Sequence, residues 1–187
     1  MSLPSFGVSL SQGQKYSDVQ VFPYTKEQIF AVVADVDRYS EFVPMCMESR
    51  VFHGTRRTEQ AVGAAAERET VQAELVAGYP PFRERYVSQV VLDKPWRITA
   101  TATPNGGIFK HMKTVWEFAE ARSGVSSASS GGLGRACTAS KGTLVRFAIE
   151  YEFVSILHAQ AARLVFEKMA KTNLAAYLGR CQKLYGK

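Results

Sequence analysis

SILHAQAARLVFEKMAKTNLAAYLGRCQKLY, residues 155–185, decides how the rest of the chain is read. Apolar or small residues recur there at steps of three and four, through Ala162, Phe166, Met169, Ala170, Leu174, Tyr177, Leu178, Cys181 and Leu184. Arg163, Glu167, Lys168, Lys171, Arg180 and Lys183 fall mostly off that line. The spacing predicts one amphipathic helix with a broad buried stripe, capped by Ser155 and followed by Gly186. At about 1.5 Å per residue it would run roughly 45 Å, longer than most helices of a compact domain. Such a helix needs a large partner surface, and the preceding residues read almost entirely as strands.

Working back from the helix, Leu144–Phe153 sets Val145, Phe147, Ile149, Tyr151 and Phe153 on one face and Arg146, Glu150 and Glu152 on the other. His111–Phe118, Trp96–Ala102 and Phe82–Leu92 alternate in the same way, and Thr70–Ala77, Met47–Phe52 and Tyr16–Phe22 are the remaining expected strands. Period-two alternation with one polar side predicts an antiparallel sheet that is wet on one face, and the terminal helix is the only element large enough to cover the other. TKEQIFAVVADV, from Thr25, reads as a capped short helix; Asp35 or Asp37 starts a second turn through Phe42, and Pro44 stops it. Residues 1–15 read as a flexible tail and the Ser/Gly-rich 122–142 as a flexible insertion within one domain spanning 16–187. That insertion lacks the Gly-x-x-x-x-Gly-Lys-Ser/Thr spacing of a phosphate loop.

The 187 residues amount to one domain with a sizeable core. No apolar run approaches the ~20 residues that span a bilayer, and the opening MSLPSFGVSLSQGQ reads as neither a signal nor a transit peptide. Three widely spaced cysteines, Cys46, Cys137 and Cys181, argue for a reducing compartment without a disulfide framework. The net charge of +6 is uneven: residues 1–55 hold four basic and six acidic side chains, residues 143–187 seven basic and three acidic. The helix therefore has a basic outer face, either simply solvated or turned toward an anionic membrane or RNA.

The order strand, two short helices, six strands, long helix is that of the α+β helix-grip fold, in which a curved antiparallel sheet wraps a C-terminal helix around an internal cavity. VVADVDRYSEFVPMC (32–46), YPPFRERYVSQV (79–90), FKHMKTVWEF (109–118), IEYEFVSILHAQ (149–160) and GRCQKLYG (179–186) resemble the coenzyme Q-binding branch of the START-like, polyketide cyclase-related superfamily. The resemblance covers residues 16–186 apart from the 122–142 loop, which is longer than the family leads one to expect. It implies a mitochondrial protein at the matrix side of the inner membrane that binds ubiquinone or a related prenyl lipid and supports its delivery or use in respiration. It further implies peripheral membrane contact and respiratory-chain or quinone-biosynthesis proteins as partners, with oligomerisation left open and no cofactor beyond the bound quinone. A bacterial cousin is a toxin acting on ribosome association, which keeps an RNA-interacting protein of the same fold as an alternative; a cyclase-like enzyme is another.

On this reading the ligand-binding residues are Phe42, Pro44 and Met45 in the loop, Phe82, Glu84 and Tyr86 on one strand, and Trp96, Met112, Trp116, Phe147 and Tyr151 on later strands. Ala162, Phe166, Met169 and Ala170 join them from the helix. Alanines 161, 162, 170, 175 and 176 either leave room for an isoprenoid chain or let helix and sheet approach closely. Each buried CH₂ of a tail is worth about 0.8 kcal/mol, so tight binding needs no ionic anchor. Glu84 shares the parity of Tyr86; it either accepts a hydrogen bond from a quinol, pairs with an arginine, or lies beyond the covered sheet. Cys46 reads as a buried structural thiol, since no base stands near it in sequence. His53, His111 and His158 are isolated and suggest no metal site. The turns 42–45 and 78–82 form the expected movable mouth. Catalysis would need convergent acid–base groups in the cavity, for which Glu84 is the single candidate.

Overall fold

The computed structural model describes residues 13–60, 67–79, 82–103, 109–121, 142–154 and 172–186. Seven strands form one antiparallel sheet: β1 (Gly13–Phe22), β2 (Cys46–Gln60), β3 (Glu67–Tyr79), β4 (Phe82–Asp93), β5 (Arg97–Ala102), β6 (Phe109–Glu120) and β7 (Thr143–Phe153). Their spatial order is β1-β7-β6-β5-β4-β3-β2, so each strand beyond β1 pairs with its sequence neighbour and β1 closes onto β7. Helix α1 (Lys26–Ala34) and a 3-10 turn (Val36–Glu41) fill the crossover from β1 to β2. A terminal helix, α2, spans 172–185.

α1 starts where the sequence says it should. Thr25 Oγ1 accepts from Gln28 N at 3.3 Å while Thr25 N donates to Gln28 Oε1 at 3.0 Å, a reciprocal capping box. Ile29, Phe30, Val32 and Val33 are buried beneath it. The 3-10 turn is tied to β2 by Asp37, whose Oδ1 accepts from Val51 N at 2.6 Å and whose carbonyl accepts from Ser49 Oγ at 3.1 Å. The chain then reverses through Met45, a non-glycine residue at φ 63°, and Met45 O accepts from Gly78 N at 3.0 Å.

The alternation expected on the later strands is realised as rows across the inner face. Leu92, Ile98, Trp116 and Phe147 line up through β4 to β7, as do Val90, Ala100, Thr114 and Ile149; Ser88 stands between Ala73 and Ala102. α2 lays Leu174, Tyr177 and Cys181 on that face, all buried. Its end is closed by Gly186 at φ 72°, with Gly186 N donating to Gln182 O and Tyr24 Oη to Gly186 O.

Several expectations need correction. β1 begins at Gly13, within the stretch read as tail, because Gly13 to Lys15 pair with Glu152 to Glu150. β2 runs far beyond Phe52: its register shifts between Phe52 and Arg57, and Thr55 Oγ1 bridges the irregularity by accepting from Gln72 N (2.9 Å) and donating to Phe52 O (2.7 Å). Leu184, expected on the buried stripe, is 51% exposed. Ala175 is exposed and Ala176 half-buried, so neither shapes an interior space. Ala161, Ala162, Ala170, the remainder of the expected long helix and the 122–141 insertion lie outside the described residues.

Candidate functional site

Between the inner face of the sheet, the 3-10 turn and α2 lies a partly enclosed pocket of about 130 Å³. Its floor is laid by β3 to β7, with Ala73, Leu75, Tyr86, Ser88, Ala100 and Trp116 among the contributors. Tyr177 and Asn173 cover it from α2, and Val43, Pro44 and Cys46 form the lip. Ala73, Ala77 and Ala100 contribute small side chains to the lining, and Tyr86, Met112, Trp116 and Phe147 the large ones.

The polar groups in this apolar lining are held neutral. Burial pushes the phenols of Tyr39, Tyr86 and Tyr177 well above the ordinary tyrosine range. It also raises the Cys46 thiol to about 11. The Tyr177 ring meets that of Tyr39 edge-on at 5.5 Å, and Tyr39 Oη donates to Val33 O. Ser88 differs: it is 1% exposed, it lines the pocket, and its Oγ has no hydrogen-bond partner among the described residues. No carboxylate or imidazole lines the pocket among the described residues, and no group of three or more His, Cys, Asp and Glu there is placed to hold a metal ion.

Of the residues singled out from sequence, Pro44, Tyr86, Met112, Trp116 and Phe147 meet at this pocket. Phe42 stands behind the lining, edge-on to Tyr39 (5.8 Å) and Tyr177 (5.2 Å), and Met45, half-buried, is not among the lining residues. Tyr151 is buried in an adjoining cluster with Phe109, Met112 and Phe153. Glu84 pairs with Ala77 one row nearer the β3–β4 turn than Tyr86, and is half-buried outside the lining. Trp96 is a correction: it is 51% exposed under the Lys26 ammonium, 3.7 Å from the ring centre. It closes the turn before β5, with Trp96 N donating to Asp93 O, so the alternation that buries Ile98 does not extend to it. Cys46 likewise lines the pocket half-exposed instead of lying in the core. The Phe82 side chain and Ala162, Phe166, Met169 and Ala170 fall outside what is described. Sequence reading passed over Ser88, Tyr39 and Tyr177; a lone serine at inward parity between Tyr86 and Val90 was the available signal.

A curved antiparallel sheet closed on a C-terminal helix, with an apolar pocket between them, defines a helix-grip protein of the START-like class. The chain belongs to the polyketide cyclase / dehydrase and lipid transport family, whose profile matches residues 22–177. Coenzyme Q-binding protein COQ10 homolog B, mitochondrial, of Xenopus laevis is 30% identical over 173 residues, 92% of this chain and 60% of that protein. The chain thus spans about 60% of the length of that relative and of the Drosophila melanogaster coenzyme Q-binding protein COQ10. Ribosome association toxin RatA of Rickettsia prowazekii is 24% identical over 113 residues, 55% of this chain and 64% of the toxin. Among solved structures, the 18 kDa protein CC1736 from Caulobacter crescentus superposes with a TM-score of 0.64 at 27% identity, covering 93% of this chain and 99% of that one. The Zhui aromatase/cyclase from Streptomyces sp. R1128 also reaches 0.64, at 14% identity and 91% and 94% coverage, a likeness of fold.

Proposed function

We propose that this chain binds ubiquinone or a related prenyl quinone without transforming it, and that it supports delivery or use of that lipid in respiratory electron transport. The observation that carries the reading is the chemistry of the pocket. Among the described residues it is apolar, its titratable side chains are neutral at physiological pH, and it offers hydroxyl groups without a general base. Such a lining suits an uncharged, weakly polar ligand, and none of the described residues in it is poised to move a proton. The coenzyme Q-binding names of the relatives point the same way, as does the mitochondrial location those names carry.

Size refines the reading. An apolar cavity of about 150 Å³ admits one benzene ring, so at 130 Å³ this pocket is near the size of a single isoprene unit and takes neither a substituted ring nor a long chain without widening. The rest of a prenyl tail lies outside this pocket or requires the lip at Val43 and Pro44 to move. That lip is where a membrane surface at the matrix side of the inner membrane would be met. Respiratory-chain or quinone-biosynthesis proteins would be partners there.

The likeness to a ribosome-association toxin supports a second reading, contact with ribosomal RNA through basic groups of α2. One of them, Arg180, is 8% exposed and engaged by Glu41 at 3.0 Å, which takes it out of any open basic surface. Organic extraction of the purified protein followed by mass spectrometry discriminates. A co-purifying prenyl quinone is expected; its absence together with salt-sensitive retention of RNA would move the assignment to the second reading.

A further inference from the structure

Ser88 occupies a position at which a protein without a ligand gains nothing. Its hydroxyl is 1% exposed and has no partner among the described residues, and folding has nonetheless placed it on the pocket floor. Burying an unpaired hydroxyl is unfavourable, and an alanine at this site would avoid that penalty. The residues facing it across the sheet are Ala73 on β3 and Ala102 on β5, neither of which carries a side-chain group that could pair with the oxygen. Around it the walls are Tyr86, Met112 and Trp116, flat or flexible surfaces suited to an aromatic-sized ring. At about 130 Å³ the space is slightly smaller than a cavity that admits benzene, so a substituted quinone ring enters only as the lip at Val43 and Pro44 gives way.

We propose that Ser88 is the polar anchor of the pocket: a quinone enters ring first and a ring carbonyl oxygen accepts a hydrogen bond from Ser88 Oγ, while the prenyl chain runs outward past Val43 and Pro44. The proposal rests on the reading of this pocket as a prenyl-quinone site and adds the direction of entry and the recognising atom. A tail-first ligand would bring only hydrocarbon to the serine and leave it unpaired. A reduced ring is also held, because the same hydroxyl accepts from a quinol.

The test uses Ser88→Ala in the full chain, calorimetric titration and two probes: ubiquinone carrying one prenyl unit, and the matching prenylated dimethoxytoluene that lacks both carbonyl oxygens. Loss of one hydrogen bond should weaken quinone binding about tenfold, with the arene bound equally by both proteins. The ligand-free variant should melt at the wild-type temperature or above it, since the deleted hydroxyl made no bond. Equal loss for both probes, an unchanged quinone affinity, or a lowered melting temperature of the free protein each overturns the anchor. Wild-type protein that binds neither probe overturns the quinone reading together with it, whereas wild-type protein that binds the quinone as tightly as Ser88→Ala removes the anchor and leaves that reading intact.

Discussion

Glu69 sits at the inner end of β3 with 7% exposure, between Arg56 Nη1 and Lys94 Nζ, each 2.5 Å from one of its oxygens. The hydrogen bond from Lys94 holds its carboxyl below the ordinary range, against the opposing effect of burial, and the Lys94 and Arg56 charges add to the lowering. A carboxyl lowered by folding stabilises the native state above its unfolded pKa, about 4.3, and that contribution is lost as pH falls through the folded value. Lys94 is raised, first by its bond to Glu69, so its share persists below about 10.4 and is lost as pH rises through the folded value. The pair therefore supports the fold across neutral pH. Glu69 is buried but Arg56 and Lys94 are each nearly half in solvent, and Glu69→Gln should cost about 1–2 kcal/mol at pH 7 in urea unfolding. The difference from wild type should begin to shrink below about pH 4 and vanish once pH passes below the lowered folded value; a gap independent of pH would show that the ion pair is not its cause. Single residues were also where sequence reading was least informative. Tyr86, Met112, Trp116 and Phe147 were visible because parity and size agree, whereas Ser88 shows itself only by what fails to touch it, which no spacing rule reports.

One step up, the elements around the pocket are joined by a small latch between α2 and the 3-10 turn. Arg180 Nη2 reaches Glu41 Oε2 at 3.0 Å, its guanidinium lies 5.3 Å from the Phe42 ring centre, and Phe42 meets Tyr177 edge-on at 5.2 Å. Arg180 is buried and its stem packs, while Glu41 is half-exposed and can be rehydrated. Arg180→Ala should therefore cost about 1–3 kcal/mol and Glu41→Gln less than about 1 kcal/mol. Amide exchange in Val36–Glu41 should quicken in the first variant only. Equal effects would mean that the ion pair, and not the stacked guanidinium, holds the turn. The elements themselves were largely legible: alternation separated the two faces on β4 to β7, Trp96 excepted, and Thr25 marked the start of α1. β2 was not, because His53-Gly54-Thr55-Arg56-Arg57 carries no hydrophobic alternation. Its continuity depends on the Thr55 side chain and on pairing with β3, both of which are tertiary.

At the scale of the whole molecule, the pocket is bounded by parts far apart in sequence that meet at one clasp, Met45 O with Gly78 N at 3.0 Å, joining the lip to the β3–β4 ribbon. The helix-grip architecture followed from the order of elements alone; the modest volume inside did not, because it depends on how far Tyr177 and the row of alanines approach each other. The two tryptophans of the chain fall on opposite sides of this arrangement, Trp116 in the pocket wall and Trp96 out in solvent beside Lys26. The molecule thus carries a built-in optical gauge of occupancy. An excited indole gives up an electron readily to an oxidised quinone, so filling the pocket should extinguish the blue-shifted emission of Trp116 while the red-shifted emission of Trp96 persists. In Trp96→Phe the light that remains comes from within the binding chamber, and its decline during a titration reads bound quinone directly; steady emission at saturating quinone would place the ligand elsewhere.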